Sequence, residues 1–210
     1  MKVDSLGESA LIIRDLPEPP DRAAAKWSAR FRNFRDVVPC YETVGIYFEG
    51  DPPSLSDLEE ALQIEMPLQP RRELVIPVCY EMGEDLSEVS SRLSMEPGEV
   101  ISAHSGQAYV CAAIGFCPGF PYLGKLSARI AGLPRKPTPR IRVEPGSVAM
   151  TGYQTGIYPL PKPGGWWIVG RTPLTLVDVA TNYFPIRVGD SVRFEPIGEE
   201  QFLQRQGERL

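Results

Sequence analysis

The sequence predicts an α+β chain of two domains, a small α/β sandwich over residues 1–70 followed by a β-barrel over residues 71–210. Three observations carry this prediction. Charge divides the chain: residues 1–70 hold 7 Lys/Arg against 13 Asp/Glu, and residues 71–210 hold 15 against 14. The acidic part alternates strand-like and helix-like periodicity, the order from which a small two-layer sandwich is built. The remainder offers many short β-prone runs and few helices, the pattern of a barrel. Within it, residues 115–173 contain 10 Gly and 10 Pro. Proline removes amide donors and glycine gives up backbone order, so this stretch is not long helix. Phe116, Phe120, Tyr122, Trp166 and Trp167 lie in it, so it reads as ordered loops and short strands. The composition shift places the join near Met66-Pro67-Leu68-Gln69-Pro70.

Element by element, residues 9–13 have the look of a strand. Ala23, Ala24, Trp27, Phe31 and Phe34 recur at helical spacing, and Val44, Ile46 and Phe48 alternate as in a strand. Ser54-Leu55-Ser56-Asp57 resembles a capping box, opening a helix with Leu55, Leu58 and Leu62 on one face. In the second part Leu74, Ile76, Val78 and Tyr80 alternate as a strand. Asp85 is placed to cap a short helix whose inner face is Leu86, Val89 and Leu93. A second helix is expected over residues 97–104, with Pro97 in its first turn. Residues 108–114 form an apolar, β-prone run. Residues 166–169 and 174–177 read as strands, and Val188-Gly189-Asp190 reads as a turn entering a final strand through Phe194.

The 210 residues are 42% hydrophobic and 23% charged, close to the globular average. A chain of this length buries enough apolar surface to fold without a disulfide or metal staple. It holds no apolar run of about 18 residues, so no membrane-spanning helix is expected. Met1-Lys2-Val3-Asp4-Ser5 lacks the apolar core of a secretory signal. A net charge of −5 argues against a general nucleic-acid binder. Cys40, Cys79, Cys111 and Cys117 include no C-x-x-C pair, and His104 is the single histidine. Structural zinc needs four such ligands at short paired spacing, so no metal site is expected, and the thiols are expected to be reduced in a cytoplasm.

Four stretches have residue types that suit chemistry. Cys117, in a loop with an exposed look, suits either a nucleophile with His104 as its base or a small semi-buried filler. Residues 119–125 fit G-x-x-x-x-G-K, but Leu126 stands where the Mg²⁺-binding Ser or Thr belongs, and Pro121 removes an amide such a loop would use. Lys125, Arg129, Arg135, Lys136, Arg140 and Arg142 make a basic stretch with no acid before Glu144. It suits either an anion or acidic surface, or a solvated loop face. Gln154, Thr155, Tyr158, Arg171 and Thr172 offer donors to a polar ligand, beside Trp166 after a Gly-Gly pair, or else serve as hydrogen-bonded barrel ends. His104, at the end of its helix, suits a C-terminal cap or an acid–base group.

Taken in order, Gly115-Phe116-x-Pro118-Gly119-Phe120-Pro121-Tyr122-Leu123-Gly124, Pro139-Arg140, Pro145-Gly146-Ser147-Val148, Gln154-Thr155-Gly156-Ile157-Tyr158-Pro159, Pro163-Gly164-Gly165-Trp166 and Gly170-Arg171-Thr172-Pro173-Leu174 resemble one family. It is the B-type subunit of bacterial 5-oxoprolinase, the KipI-type family, also labelled allophanate hydrolase subunit 1 and similar to the C–D part of the carboxyltransferase domain of urea carboxylase. His104 also falls where that family has a histidine. The resemblance implies a cyclophilin-like β-barrel for residues 71–210 and a small α/β sandwich for residues 1–70. It implies a cytoplasmic subunit of an ATP-dependent enzyme that opens 5-oxo-L-proline to L-glutamate. The isolated chain would be inactive. The implied partners are a LamB/YcsF-type subunit and a carboxyltransferase A–B-like subunit, with ATP and Mg bound by or shared with them. The stoichiometry, and whether the chain also pairs with itself, stay open. On residue type and matching position, His104, Arg140 and Arg171 would be catalytic. Gln154, Thr155, Tyr158, Trp166 and Thr172 would bind substrate. Two departures weigh on this: Lys125 stands where the family often has a second glycine, and Cys117 at a position that varies. The alternative of another class is a KipI-like regulator that binds and inhibits a sensor histidine kinase. Prolyl isomerisation rests on fold analogy alone. Carboxyl transfer on urea lacks a biotin carrier or ATP-binding region in this chain.

Overall fold

Strand spacing in the acidic part does produce a sheet, and tryptophan decides which face is covered. The computed structural model describes residues 1–67 and 70–210, so Leu68 and Gln69 of the expected join lie outside the described residues. Contacts divide the chain into two compact units, Met1–Pro70 and Arg71–Leu210. The first contains β1 (Lys2–Ser5), β2 (Ala10–Arg14), α1 (Pro20–Arg30), β3 (Phe34–Cys40), β4 (Thr43–Phe48) and α2 (Leu55–Leu62). The strands form an antiparallel sheet in the order β1-β2-β4-β3. Leu11, Ile13, Val44, Ile46 and Phe48 bury one face against Ala23, Ala24 and Trp27 of α1 and Leu58, Ala61 and Leu62 of α2. The indole Nε1–H of Trp27 donates to the Leu58 carbonyl at 3.0 Å, so the largest core side chain also ties the helices together.

Three expectations are corrected here. The helical series stops at Arg30: Phe31 is extended (φ −109°, ψ 119°) and Phe34 opens β3, their rings stacked at 4.5 Å. A spacing of three fitted the helix and its exit equally well. The order is not strand, helix, strand, helix, because β1 and β3 join the sheet through pairing with β2 and β4; both are too polar to alternate visibly. Leu55 is 44% exposed, and Ala61 fills the inner face in its stead.

The second unit contains β5 (Glu73–Val78), a 3₁₀ turn (Tyr80–Met82), α3 (Leu86–Leu93), α4 (Pro97–Ser105), β6 (Ala108–Ile114), β7 (Pro121–Gly124), β8 (Arg140–Val143), β9 (Ser147–Thr151), β10 (Gln154–Ile157), β11 (Lys162–Gly164), β12 (Trp167–Arg171), β13 (Ser191–Pro196) and α5 (Glu199–Gln204). Seven strands form one sheet in the order β12-β9-β10-β7-β6-β13-β5. Its ends nearly meet: the Cys79 amide donates to the Arg171 carbonyl at 2.8 Å and the Arg171 amide to the Cys79 carbonyl at 2.9 Å. This pair draws the sheet into a barrel, as expected for this part of the chain, and leaves little open edge. The β5–β13 pair is parallel, with Arg72 bonded to Asp190 and to the Pro185 carbonyl where the two strands begin.

Alternation along the strands fills two cores. Val148 and Met150, Trp167 and Val169, and Leu123 face the barrel interior. Ala149, Ile168 and Tyr122 face outward, onto a second cluster with Cys117, Phe120, Tyr158 and Trp166. The ribbon of β8 and β11 contributes Val143 to that outer cluster. All five residues of β9 are therefore buried.

Two corrections apply to this unit. Tyr80 belongs to the 3₁₀ turn and not to β5. Residues 174–177 are not a strand; they carry one isolated bridge, Thr175 to Arg209, although Leu174 and Leu176 still reach the core.

Ser54 and Asp57 make a reciprocal capping box on α2. Ser54→Ala is expected to lower unfolding stability by about 1 kcal/mol, read from urea denaturation. An unchanged midpoint would show that the box contributes nothing.

Candidate functional site: an aromatic cleft on the barrel

His104 anchors the barrel interior. Its Nε2 lies 2.8 Å from Thr155 Oγ1, and its Nδ1 lies 2.7 Å from the Tyr80 hydroxyl. The Thr155 hydroxyl donates to the Ala149 carbonyl at 3.0 Å, so Thr155 accepts from His104 Nε2–H. Nδ1 is then the acceptor for the Tyr80 hydroxyl, which fixes the tautomer as Nε2–H. The ring stacks on Phe194 at 4.6 Å and is fully buried. Burial drives its pKa down to about 3. It is not the helix cap considered from sequence: the cap position is Gly106, and both ring nitrogens are engaged inside the core.

Asp85 organises the basic stretch. It sits at the N-cap position of α3 but makes no cap hydrogen bond, which corrects the expectation from sequence. Its carboxylate is buried. It accepts from Lys136 Nζ at 2.5 Å, Arg140 Nη2 at 2.7 Å and the Ile168 amide at 2.8 Å. Burial pushes its pKa up, but hydrogen bonds from Arg140, Lys136 and Ile168 outweigh this and hold it below the usual carboxylate range. Lys136 also lies over the Trp167 ring at 4.5 Å. Two of the six basic residues are thus bound to one acid. Arg129 pairs with Glu99 and Arg142 with Glu144. Arg135 and Lys125 have no ion pair among the described residues.

Anchoring residues 136 and 140 places Arg135 and Pro139 beside a cleft of about 210 Å³. Phe116, Phe120 and Tyr122 line it from the loop before β7 and from β7 itself. Tyr158, Pro163, Gly164, Gly165 and Trp166 line it from the segment around β11. The rings pack edge to face, with centroids 5.0 Å apart for Phe120–Tyr122, 5.2 Å for Phe120–Tyr158 and 5.5 Å for Phe120–Trp166. Gly164 is required: a Cβ there would overlap the Tyr158 hydroxyl. Burial raises the Tyr158 pKa, opposed by the Trp166 amide and by the charge of Arg135. Phe116, in the left-handed region at φ 65°, holds its ring 56% exposed at the rim.

Of the residues singled out from sequence, the structure brings Tyr158 and Trp166 together in this cleft. Thr155 is buried on the interior side with His104. Thr172 is buried and accepts from the Leu174 amide at 3.3 Å. Gln154 lies in β10 opposite Thr151 and Gly124. Arg140 is held by Asp85 and Glu84, and Arg171 Nε donates to the Pro145 carbonyl at 3.1 Å. None of these five, nor His104, lines the cleft. Cys117 is buried rather than exposed, and burial raises its thiol pKa. Residues 121–124 of the G-x-x-x-x-G-K stretch form β7, paired on both sides with β6 and β10. Its amides serve the sheet, so the stretch does not fit a nucleotide phosphate. In sequence Arg135 was visible only as a member of a basic run, and Phe116 as a member of the Gly/Pro-rich stretch and of the first family motif, with no role assigned to either.

The fold built around this barrel recurs within carboxyltransferase-related proteins. Residues 1–185 match the carboxyltransferase domain, subdomain C and D, and the chain belongs to that family. It is 36% identical over 228 aligned residues to the B-type subunit of 5-oxoprolinase from Bacillus subtilis (strain 168), covering 96% of this chain and 95% of that protein. The crystal structure of TTHA0988 superposes with a TM-score of 0.78 at 35% identity, covering 90% of this chain and 40% of that one. The urea carboxylase of Kluyveromyces lactis shares the fold, with a TM-score of 0.68 at 16% identity over 96% of this chain and 22% of that one.

Two outcomes test this geometry. Asp85→Asn, which removes the buried partner of Lys136 and Arg140 and leaves them only the more exposed Glu88 and Glu84, is expected to cost about 3 kcal/mol in denaturant unfolding. No loss would mean that Glu84, Glu88 and solvent already satisfy both cations. For His104 the folded pKa lies below the unfolded one, so the unfolded chain binds the extra proton. Stability is then retained above about pH 6.5 and lost as pH falls toward 3, by up to about 1.4 kcal/mol per pH unit. His104→Gln removes that slope, so its stability deficit against the parent is expected to shrink between pH 7 and pH 5. A constant deficit would refute a buried neutral imidazole.

Proposed function

We propose that this chain is the B-type subunit of an ATP-dependent 5-oxoprolinase, which opens 5-oxo-L-proline to L-glutamate only in the presence of partner subunits. The observation that carries this is the end-to-end match to a relative of that name. Within longer chains such as TTHA0988 the same fold accounts for only part of the length, which supports its working beside other modules. In this reading the partners are the LamB/YcsF-type and carboxyltransferase A–B-like subunits, and the assembly is cytoplasmic. Mg-bound ATP drives the opening of an unactivated, little-strained amide, and it is bound by or shared with the partners, since the G-x-x-x-x-G-K stretch here is committed to a strand.

The chain's own contribution is a preformed surface. Tyr158 and Trp166 orient a small ligand or partner group, and Arg135 supplies fixed positive charge. Arg140 acts as a positioning residue through Asp85, while His104 and Thr155 hold the barrel wall behind the cleft.

5-Oxoproline-dependent ADP release, measured with this chain, the two partners and each omitted in turn, tests the proposal. Activity is expected only in the complete mixture, with at least a tenfold drop on omitting this chain. Undiminished turnover without it would overturn the subunit reading and favour binding to a sensor kinase instead.

A further inference from the structure

The cleft carries three features that together define a ligand class. Its walls are aromatic edges held by mutual packing, with Phe120 at the centre of the array and fully buried. Its volume, about 210 Å³, lies below the roughly 300 Å³ at which pockets for drug-sized ligands begin, so it suits one small ring. Its rim bears Arg135, an exposed guanidinium with no ion pair or side-chain hydrogen bond among the described residues. An acidic protein has thus placed an uncompensated cation beside a slot walled by aromatic rings, and a guanidinium fork is matched geometrically by a carboxylate.

We propose that this cleft binds a small ring carrying one carboxylate, the carboxylate on Arg135 and the ring against Phe120, Tyr122 and Trp166. Identifying the ring as the 5-oxoproline lactam rests on the function proposed above; the preference for a ring with a carboxylate does not. The backbone is preset for this. Gly164 lets the chain close over the Tyr158 hydroxyl, and the Asp85 anchors on residues 136 and 140 hold the segment that bears Arg135.

The test is calorimetric or NMR titration of the full chain with 5-oxo-L-proline, cyclopentanecarboxylate and 2-pyrrolidinone. Both carboxylates are expected to bind saturably, and 2-pyrrolidinone at least tenfold more weakly. Arg135→Gln is expected to weaken the carboxylates tenfold or more without changing the melting temperature, because the side chain is exposed, and Arg135→Lys to restore part of the loss. Equal binding of 2-pyrrolidinone would overturn the carboxylate assignment. Undiminished binding to Arg135→Gln, or no binding of any probe, would overturn the site. Binding of cyclopentanecarboxylate without 5-oxo-L-proline would uphold the cleft and count against the lactam reading. Saturable 5-oxoproline binding alongside a chain-independent ADP-release assay would uphold the cleft while the proposed enzyme role fell.

Discussion

A single buried carboxylate, that of Asp85, holds together the parts of the barrel unit that matter most for its surface. It joins the start of α3, Lys136 in the loop before β8, Arg140 at the start of β8, and the Ile168 amide in β12. Taking a charge out of water is expensive, and only several donors together offset that cost. The consequence is positional. A loop rich in proline and arginine would otherwise wander over the barrel, but here it is tied at two points that bracket Pro139 and follow Arg135.

The same unit contains a second polar cluster built on the opposite principle. Tyr80, His104 and Thr155 form a chain of neutral hydrogen bonds in which each proton has one place to go. Asp85 stays ionised because donors converge on it, whereas His104 stays neutral because its burial is complete. One cluster faces the barrel interior and the other ties the loop that bounds the aromatic cleft, so the sheet is braced from both sides. That bracing lets the outer face keep a slot between large rings instead of collapsing it.

Membership of the carboxyltransferase C–D family accounts for the fold, and the cleft is the surface on which the proposed function rests. The polar residues that draw the eye in sequence are largely consumed in structure. Arg140 balances an acid, Thr155 satisfies a histidine, and Thr172 closes a turn. What is left over is a cation and a set of ring edges, which is the usual composition of a recognition surface.

Local chemistry was enough to read the capping box at Ser54, the proline-led helix at Pro97, the strand Ala108–Ile114 and the strand beginning near Trp166, while of β7 to β11 it gave only that the Gly/Pro-rich stretch holds short strands. Each depends on neighbours within a few residues, and the ordered family motifs were legible for the same reason. Tertiary structure alone decided the rest. The parallel pairing of β5 with β13 and the Cys79–Arg171 seam join residues about a hundred apart, and periodicity does not encode partners at that range. Asp85 looked like a cap because a cap is its nearest use, yet its charge found two cations fifty residues on. His104 and Cys117 looked available for chemistry because residue type shows reactivity and not burial. The cleft itself arises where Arg135, Phe116 and Trp166 meet, and only folding brings those three segments to one place.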